Sequence, residues 1–154
     1  MKLSPRKINT FLLFKLPAAF FTGVRVKSIS KSSCTTTVTH SWINQNPFKS
    51  MFWAVQGMAA ELSTGALLQS KIKGSGTQIS MLIASNSGSF SKKARGKITF
   101  QCTEGLLIDE AIKNAIASGE GQLVLLQSEG MDSAGDVVSI FKFEWTIKVK
   151  QNRR

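Results

Sequence analysis

Residues 44–68 read NQNPFKSMFWAVQGMAAELSTGALL, and the folding of this stretch decides the architecture. Asn46 followed by Pro47 has the form of a helix start, because an Asn side chain can cap free amides and proline is pre-shaped for a first turn. The apolar run continues to "KGSG", where glycine stops it, so the sequence predicts one long helix over about residues 47–72. At 100° per residue, Phe48, Met51, Phe52, Val55, Ala59, Leu62 and Ala66 share a broad apolar face. Glu61 lies well away from that face. Its neighbours by helical spacing are Ser50, Ala54, Gly57, Thr64, Gly65 and Leu68, most of them small enough to admit another backbone or a slender ligand. Two readings follow from the spacing: Glu61 lines a cleft, or it pairs half-exposed with a lysine across a contact between two copies of the chain.

Around this helix the pattern is mostly strand. Ser4 and Pro5 open an N-terminal helix with Ile8, Phe11 and Leu12 on one face. The first twenty or so residues imitate a leader peptide, but Lys15 and Pro17 interrupt the apolar run and it falls far short of a membrane span. A cytoplasmic protein is expected. Val24 and Val26 begin a strand region, "SISKSS" is a turn, and Cys34, Thr36, Val38, His40 and Trp42 continue with period two. Beyond the long helix come "QISMLIAS", "KITFQCT" and "GQLVLLQSEG". In the final strand Phe141, Phe143, Trp145, Ile147 and Val149 alternate with polar residues, so one face is buried and one wet. "LLIDEAIKNAIASG" reads as a short amphipathic helix over about 106–118 ending at Gly119. No internal repeat or linker divides the chain. The expectation is a single α+β domain, 1–154, whose antiparallel sheet surrounds one apolar helix.

Lys and Arg number 20 against 9 Asp and Glu, a net charge of +11 that favours an anionic partner: nucleic acid, a membrane surface or a phosphate-bearing small molecule. The absence of tyrosine, and aromatics in apparent core phase instead of interleaved with cations, weigh against nucleic acid. The basic tail "KVKQNRR" reads as a solvated end. Cys34 and Cys102 have no metal-like spacing and read as small buried hydrophobes, and with His40 alone no histidine-based metal site or dyad is expected.

The pattern resembles the hotdog fold, a curved antiparallel sheet wrapped around one long central helix. More closely, nearly the whole chain is similar to acyl-CoA thioesterases of the phenylacetate-degradation type and an uncharacterised thioesterase-like branch. In that family an Asn precedes a His-Gly-Gly at the helix start, and an acid follows nine residues after the His. Asn46 stands where the Asn would be and Glu61 where the acid would be; Phe52, Trp53 and Ala54 replace His-Gly-Gly. "SFSKKARGKITFQCT", residues 89–103, resembles the strand pair that follows, with its basic turn.

The resemblance implies an acyl-CoA ligand, no cofactor or metal, and a homodimer that could pair further into a dimer of dimers. It implies Glu61 as general base or nucleophile, with Asn46 holding the helix start and the carbonyl region or water. The amides near Trp53 and Ala54 would then stabilise an oxyanion. Gly57, Thr64 and Gly65 would line the acyl cleft, and Lys92, Lys93 and Arg95, beside Lys97, would meet the phosphates of coenzyme A, although a solvated turn would look the same. With His-Gly-Gly replaced, the alternative is a hotdog module that binds an acyl-CoA or another apolar-tailed anion without turning it over.

Overall fold

Ser4 caps the first helix as its sequence predicts, its hydroxyl accepting from the Lys7 amide in front of α1 (Pro5–Lys15), with Ile8 and Leu12 buried. The computed structural model describes residues 3–151; Met1, Lys2 and residues 152–154, the last of the basic tail, lie outside the described residues. Pro17 starts a second short helix, α2 (Pro17–Phe21). Then come β1 (Arg25–Ile29), β2 (Cys34–Thr39), a 3-10 turn at Trp42–Asn44, α3 (Trp53–Ser75), β3 (Ile79–Phe90), β4 (Lys97–Cys102), α4 (Gly105–Ser118), β5 (Gln122–Met131) and β6 (Val137–Val149).

The six strands form one antiparallel sheet in the order β1-β2-β4-β5-β6-β3, with α3 packed on one face against β2, β4, β5 and β6. This is the hotdog fold. Val55, Ala59, Leu62, Ala66, Leu67 and Leu68 of α3 meet Val38, Ile98, Phe100, Leu126, Phe143 and Ile147 of the sheet in one core. Polar groups inside it are paired: Thr36 Oγ1 donates to the Ala59 carbonyl (2.6 Å), Ser63 and Ser128 hydroxyls meet at 2.7 Å, and Ser139 Oγ donates to Gln56 Oε1 (2.8 Å). Each such bond is worth only about 1 kcal/mol net, yet leaving one partner unmatched would cost more, so the bonds fix the helix's register on the sheet. Gly130 in β5 is required by packing, since a Cβ there would lie 2.4 Å from the Phe100 ring.

The long helix is shorter at its start than its sequence predicts. Asn46 is not its cap and Pro47 is not in its first turn; the helix begins at Trp53 with Phe52 at the N-cap position. The physical reason is local competition. The Asn46 carboxamide accepts from the Phe48 amide (2.9 Å) and the Ser50 amide (3.3 Å), and donates to the Ser50 hydroxyl (3.0 Å) and the Met51 carbonyl (3.3 Å). Those bonds hold a turn in place of a helix, Lys49 takes a left-handed φ of 58°, and Gln45 bridges Met51. Phe48 and Phe52, expected on the buried face, are therefore exposed. β2 likewise ends at Thr39, which leaves Trp42 on the turn, 84% exposed. At the other end "KGSG" does stop α3, with Gly76 left-handed at φ 70°.

The two sheet edges differ. At β1 the Asn9 side chain of α1 bonds both the Val26 amide (2.8 Å) and its carbonyl (3.0 Å), which closes part of that edge. The far edge of β3, 12 residues long, has no partner strand among the described residues.

Candidate functional site

On the side of α3 that faces β6, Trp53, Gly57, Glu61 and Gly65 follow one another at four-residue spacing. The two glycines let aromatic rings approach. A Cβ on Gly57 would sit 3.5 Å from the Phe141 ring and 3.9 Å from that of Trp53. A Cβ on Gly65 would meet Glu61 Oε1 at 3.0 Å and the Trp145 ring at 3.3 Å. The Glu61 carboxylate and the Trp145 indole thus share the space over Gly65. No hydrogen bond or ion pair reaches that carboxylate among the described residues. Burial without a partner pushes its pKa above the ordinary carboxylate value. Such a group is poised to hold or take a proton closer to neutral pH than a surface acid is.

Thr64 does not face this space freely. It is buried, its hydroxyl donating to the Glu61 carbonyl (2.9 Å) and accepting from Trp145 Nε1 (3.1 Å). The indole N–H is therefore spent on Thr64, and the acid gets only the apolar ring. Trp145 and Phe141 were missed as site residues by sequence reasoning, although their strand was read correctly; only the register of β6 against α3 reveals them.

At the start of α3 the strip opens into a groove of about 560 Å³ lined by Asn46–Phe48, Ser50–Trp53, Gln56 and Phe90–Ala94. Trp53 joins the two parts, since its ring lies beside Gly57. Phe52 is a poor N-cap: no side chain accepts from the first amides of the helix, and its first turn has no acid. The amides of Trp53 and Ala54 thus form an uncapped positive end beside the groove. Asn46 spends its carboxamide on shaping the groove wall.

The basic residues separate on inspection. Lys92 ion-pairs with Asp132 (2.6 Å) and Asp136 (2.7 Å) in the β5–β6 turn, which raises its pKa and offsets its charge. Arg95 Nε donates to the Lys49 carbonyl (3.1 Å), bracing the left-handed turn. Lys93 is exposed, lines the groove, and has no ion pair among the described residues. Lys97 points outward from β4. A larger groove, about 660 Å³, opens between the β1–β2 turn, the end of α3 and α4, but its Lys71 and Asp109 are paired with each other at 2.5 Å. Cys34 and Cys102 face each other across β2 and β4 as free buried thiols, pushed up to about 12 and about 11, first by burial, and hence unreactive near neutral pH. Among the described residues no three His, Cys, Asp or Glu side chains gather as metal ligands. No described helix is long and apolar enough to cross a membrane.

Solved structures share this architecture. A protein of unknown function from Pseudomonas aeruginosa, described as a probable thioesterase, superposes with a TM-score of 0.82 at 19% identity, over 97% of this chain and 99% of that one. A thioesterase from Haemophilus influenzae superposes at 0.75 with 10% identity, over 100% and 97%. A thioesterase from Shewanella oneidensis, its assignment provisional, does so at 0.76 with 11% identity, over 95% and 97%. At these identities the likeness establishes the fold: this chain has the same hotdog architecture as those proteins. Residues 5–147 match the family model of a domain of unknown function, DUF4442, and the chain belongs to that family. No curated protein matches it.

Proposed function

We propose that this single-domain protein binds a thioester of coenzyme A and hydrolyses it in the cytoplasm, with Glu61 as the base that activates water or as the nucleophile. The supporting observation is the Glu61 carboxylate itself, desolvated and unpartnered on a strip of small residues that runs into a groove ending at uncapped helix amides. The rings of Trp53, Phe141 and Trp145 beside Gly57 and Gly65 give that strip an apolar wall for an acyl chain, exposed Lys93 lines the groove and Arg95 follows it for phosphates, and the Trp53 and Ala54 amides suit a developing oxyanion. Within one chain the Trp53 amide and Glu61 are eight residues apart, about 12 Å of helix. A second copy, paired along the free β3 edge, would complete the site by setting the acid of one protomer nearer the amides of the other.

The bulky Phe52 and Trp53 at the entrance support a second reading, in which the same groove binds an acyl-CoA without turnover. A screen of acyl-CoAs with free-thiol detection separates the two. Glu61→Gln should lower hydrolysis by at least about a hundredfold while acyl-CoA binding persists. Equal hydrolysis by wild type and Glu61→Gln would remove Glu61 from the chemistry, and binding with no turnover by wild type would favour the second reading.

A further inference from the structure

We infer that the α1–α2 face is a docking surface for an anionic lipid bilayer. On α1, Ile8 and Leu12 point into the core, yet the solvent side carries a second apolar stripe. Lys7, Phe11 and Phe14 follow at i, i+4 and i+7, so they share one face, and Lys15 flanks Phe11. Phe14 is 73% exposed and Phe11 49%. Leu16 and Phe21, at the start and end of α2, are exposed as well. Asn44 Nδ2 donates to the Thr22 carbonyl (2.9 Å), which seats the exposed Trp42–Ile43 turn at the end of α2.

Three observations choose the occupant. First, exposed Phe interleaved with Lys and Arg is the composition of helices that lie in a bilayer interface, rings among the acyl boundary and cations at the headgroups. Second, the charge is one-sided. Glu61 is the first acidic residue of the chain, and eight Lys and Arg precede it. None of Arg6, Lys7 and Lys15 has an ion pair among the described residues. Arg6, Lys7, Phe11, Gln69 and Lys73 also line an open groove of about 590 Å³ between α1 and α3, suited to a lipid phosphate. Third, α1 packs on β1, at the opposite edge of the sheet from β3. Sheets paired through β3 would leave this face free. The inference is independent of whether Glu61 is a catalyst.

The full chain should co-sediment with vesicles of phosphatidylcholine mixed with phosphatidylglycerol, far more than with phosphatidylcholine alone, and salt should weaken the binding. Phe11→Ser with Phe14→Ser, and separately Lys7→Glu with Lys15→Glu, should each lower partitioning by about tenfold or more. These side chains are exposed, so both variants should keep the wild-type circular dichroism and Tm. Equal partitioning onto the two vesicle types, or binding unchanged in either variant, would overturn the proposal. So would a wild-type oligomer that Phe11→Ser with Phe14→Ser dissociates, because the face would then be a contact between copies of the chain.

Discussion

The two halves of α3 carry similar apolar sequence and differ in how much of it they bury. From Leu62 to Leu68 every residue is buried, Ser63 and Thr64 are hydrogen-bonded to the sheet, and the helix closes on a left-handed Gly76. From Phe52 to Glu61 the helix begins without a cap, Phe52 and Trp53 are about half exposed, and the one acid has no partner among the described residues. Both halves pack on the sheet, the N-terminal one through Val55, Gln56, Ala59 and Ala60, but only the N-terminal one also displays groups beside a groove. The difference lies in what the sheet covers, which mean hydropathy does not report.

The largest expected effect tests the fully buried half. Leu67→Ala, at a site with no exposure, should destabilise the protein by about 2–5 kcal/mol, because the cavity adds to the lost burial. Trp53→Ala at the displayed end should cost far less, within about 1 kcal/mol. Urea unfolding of the two variants compares them directly. Equal losses would show that the displayed end is as structural as the rest, and the division of α3 would fail.

A smaller loss tests the groove wall. Asn46→Ala removes a carboxamide that serves the Phe48 and Ser50 amides and the Met51 carbonyl, and should cost about 1–3 kcal/mol. If Asn46 instead held substrate alone, its removal would leave the urea midpoint unchanged and lower acyl-CoA binding only.

What the sequence revealed depended on how local the deciding physics was. Strand β6 was legible because alternation of Phe141, Phe143, Trp145 and Ile147 needs only its own residues, and the end of α3 because glycine acts locally. The start of α3 was misread because Asn-Pro serves a helix cap and a side-chain-closed turn equally well. Which one forms depends on contacts of the loop, among them the Met51 amide bonding to the Ala94 carbonyl. Gly57 and Gly65 were identified as neighbours of Glu61 by helical spacing. The same spacing gave Thr64, whose hydroxyl is held by Trp145, 81 residues away, and Lys92 looked free until the fold brought Asp132 and Asp136 beside it. Trp42, Phe48 and Phe52, expected in core phase, are exposed, because both the strand and the helix that would have buried them stop short.

The smallest effect is the sharpest test of the displayed half, and it concerns stability instead of turnover. Burial holds the Glu61 pKa in the folded state above the ordinary carboxylate value, so ionising it costs the folded protein more than the unfolded chain. Below about that value both states carry a neutral carboxyl, and the cost vanishes. It grows as pH rises through the interval between the unfolded and the raised folded pKa, then stays constant. Glu61→Gln keeps the shape and removes the ionisation. The variant should therefore melt with wild type in acid and modestly above it near neutral pH, the gap opening across that interval. Tm measured for both proteins along a pH series reads this out without any substrate. A gap of the opposite sign would mean that Glu61 has an opposite charge beside it, as a half-exposed acid paired with a lysine of a second copy would. A gap that ignores pH would mean that the carboxyl is not desolvated, and the ground for giving Glu61 a chemical role would go with it.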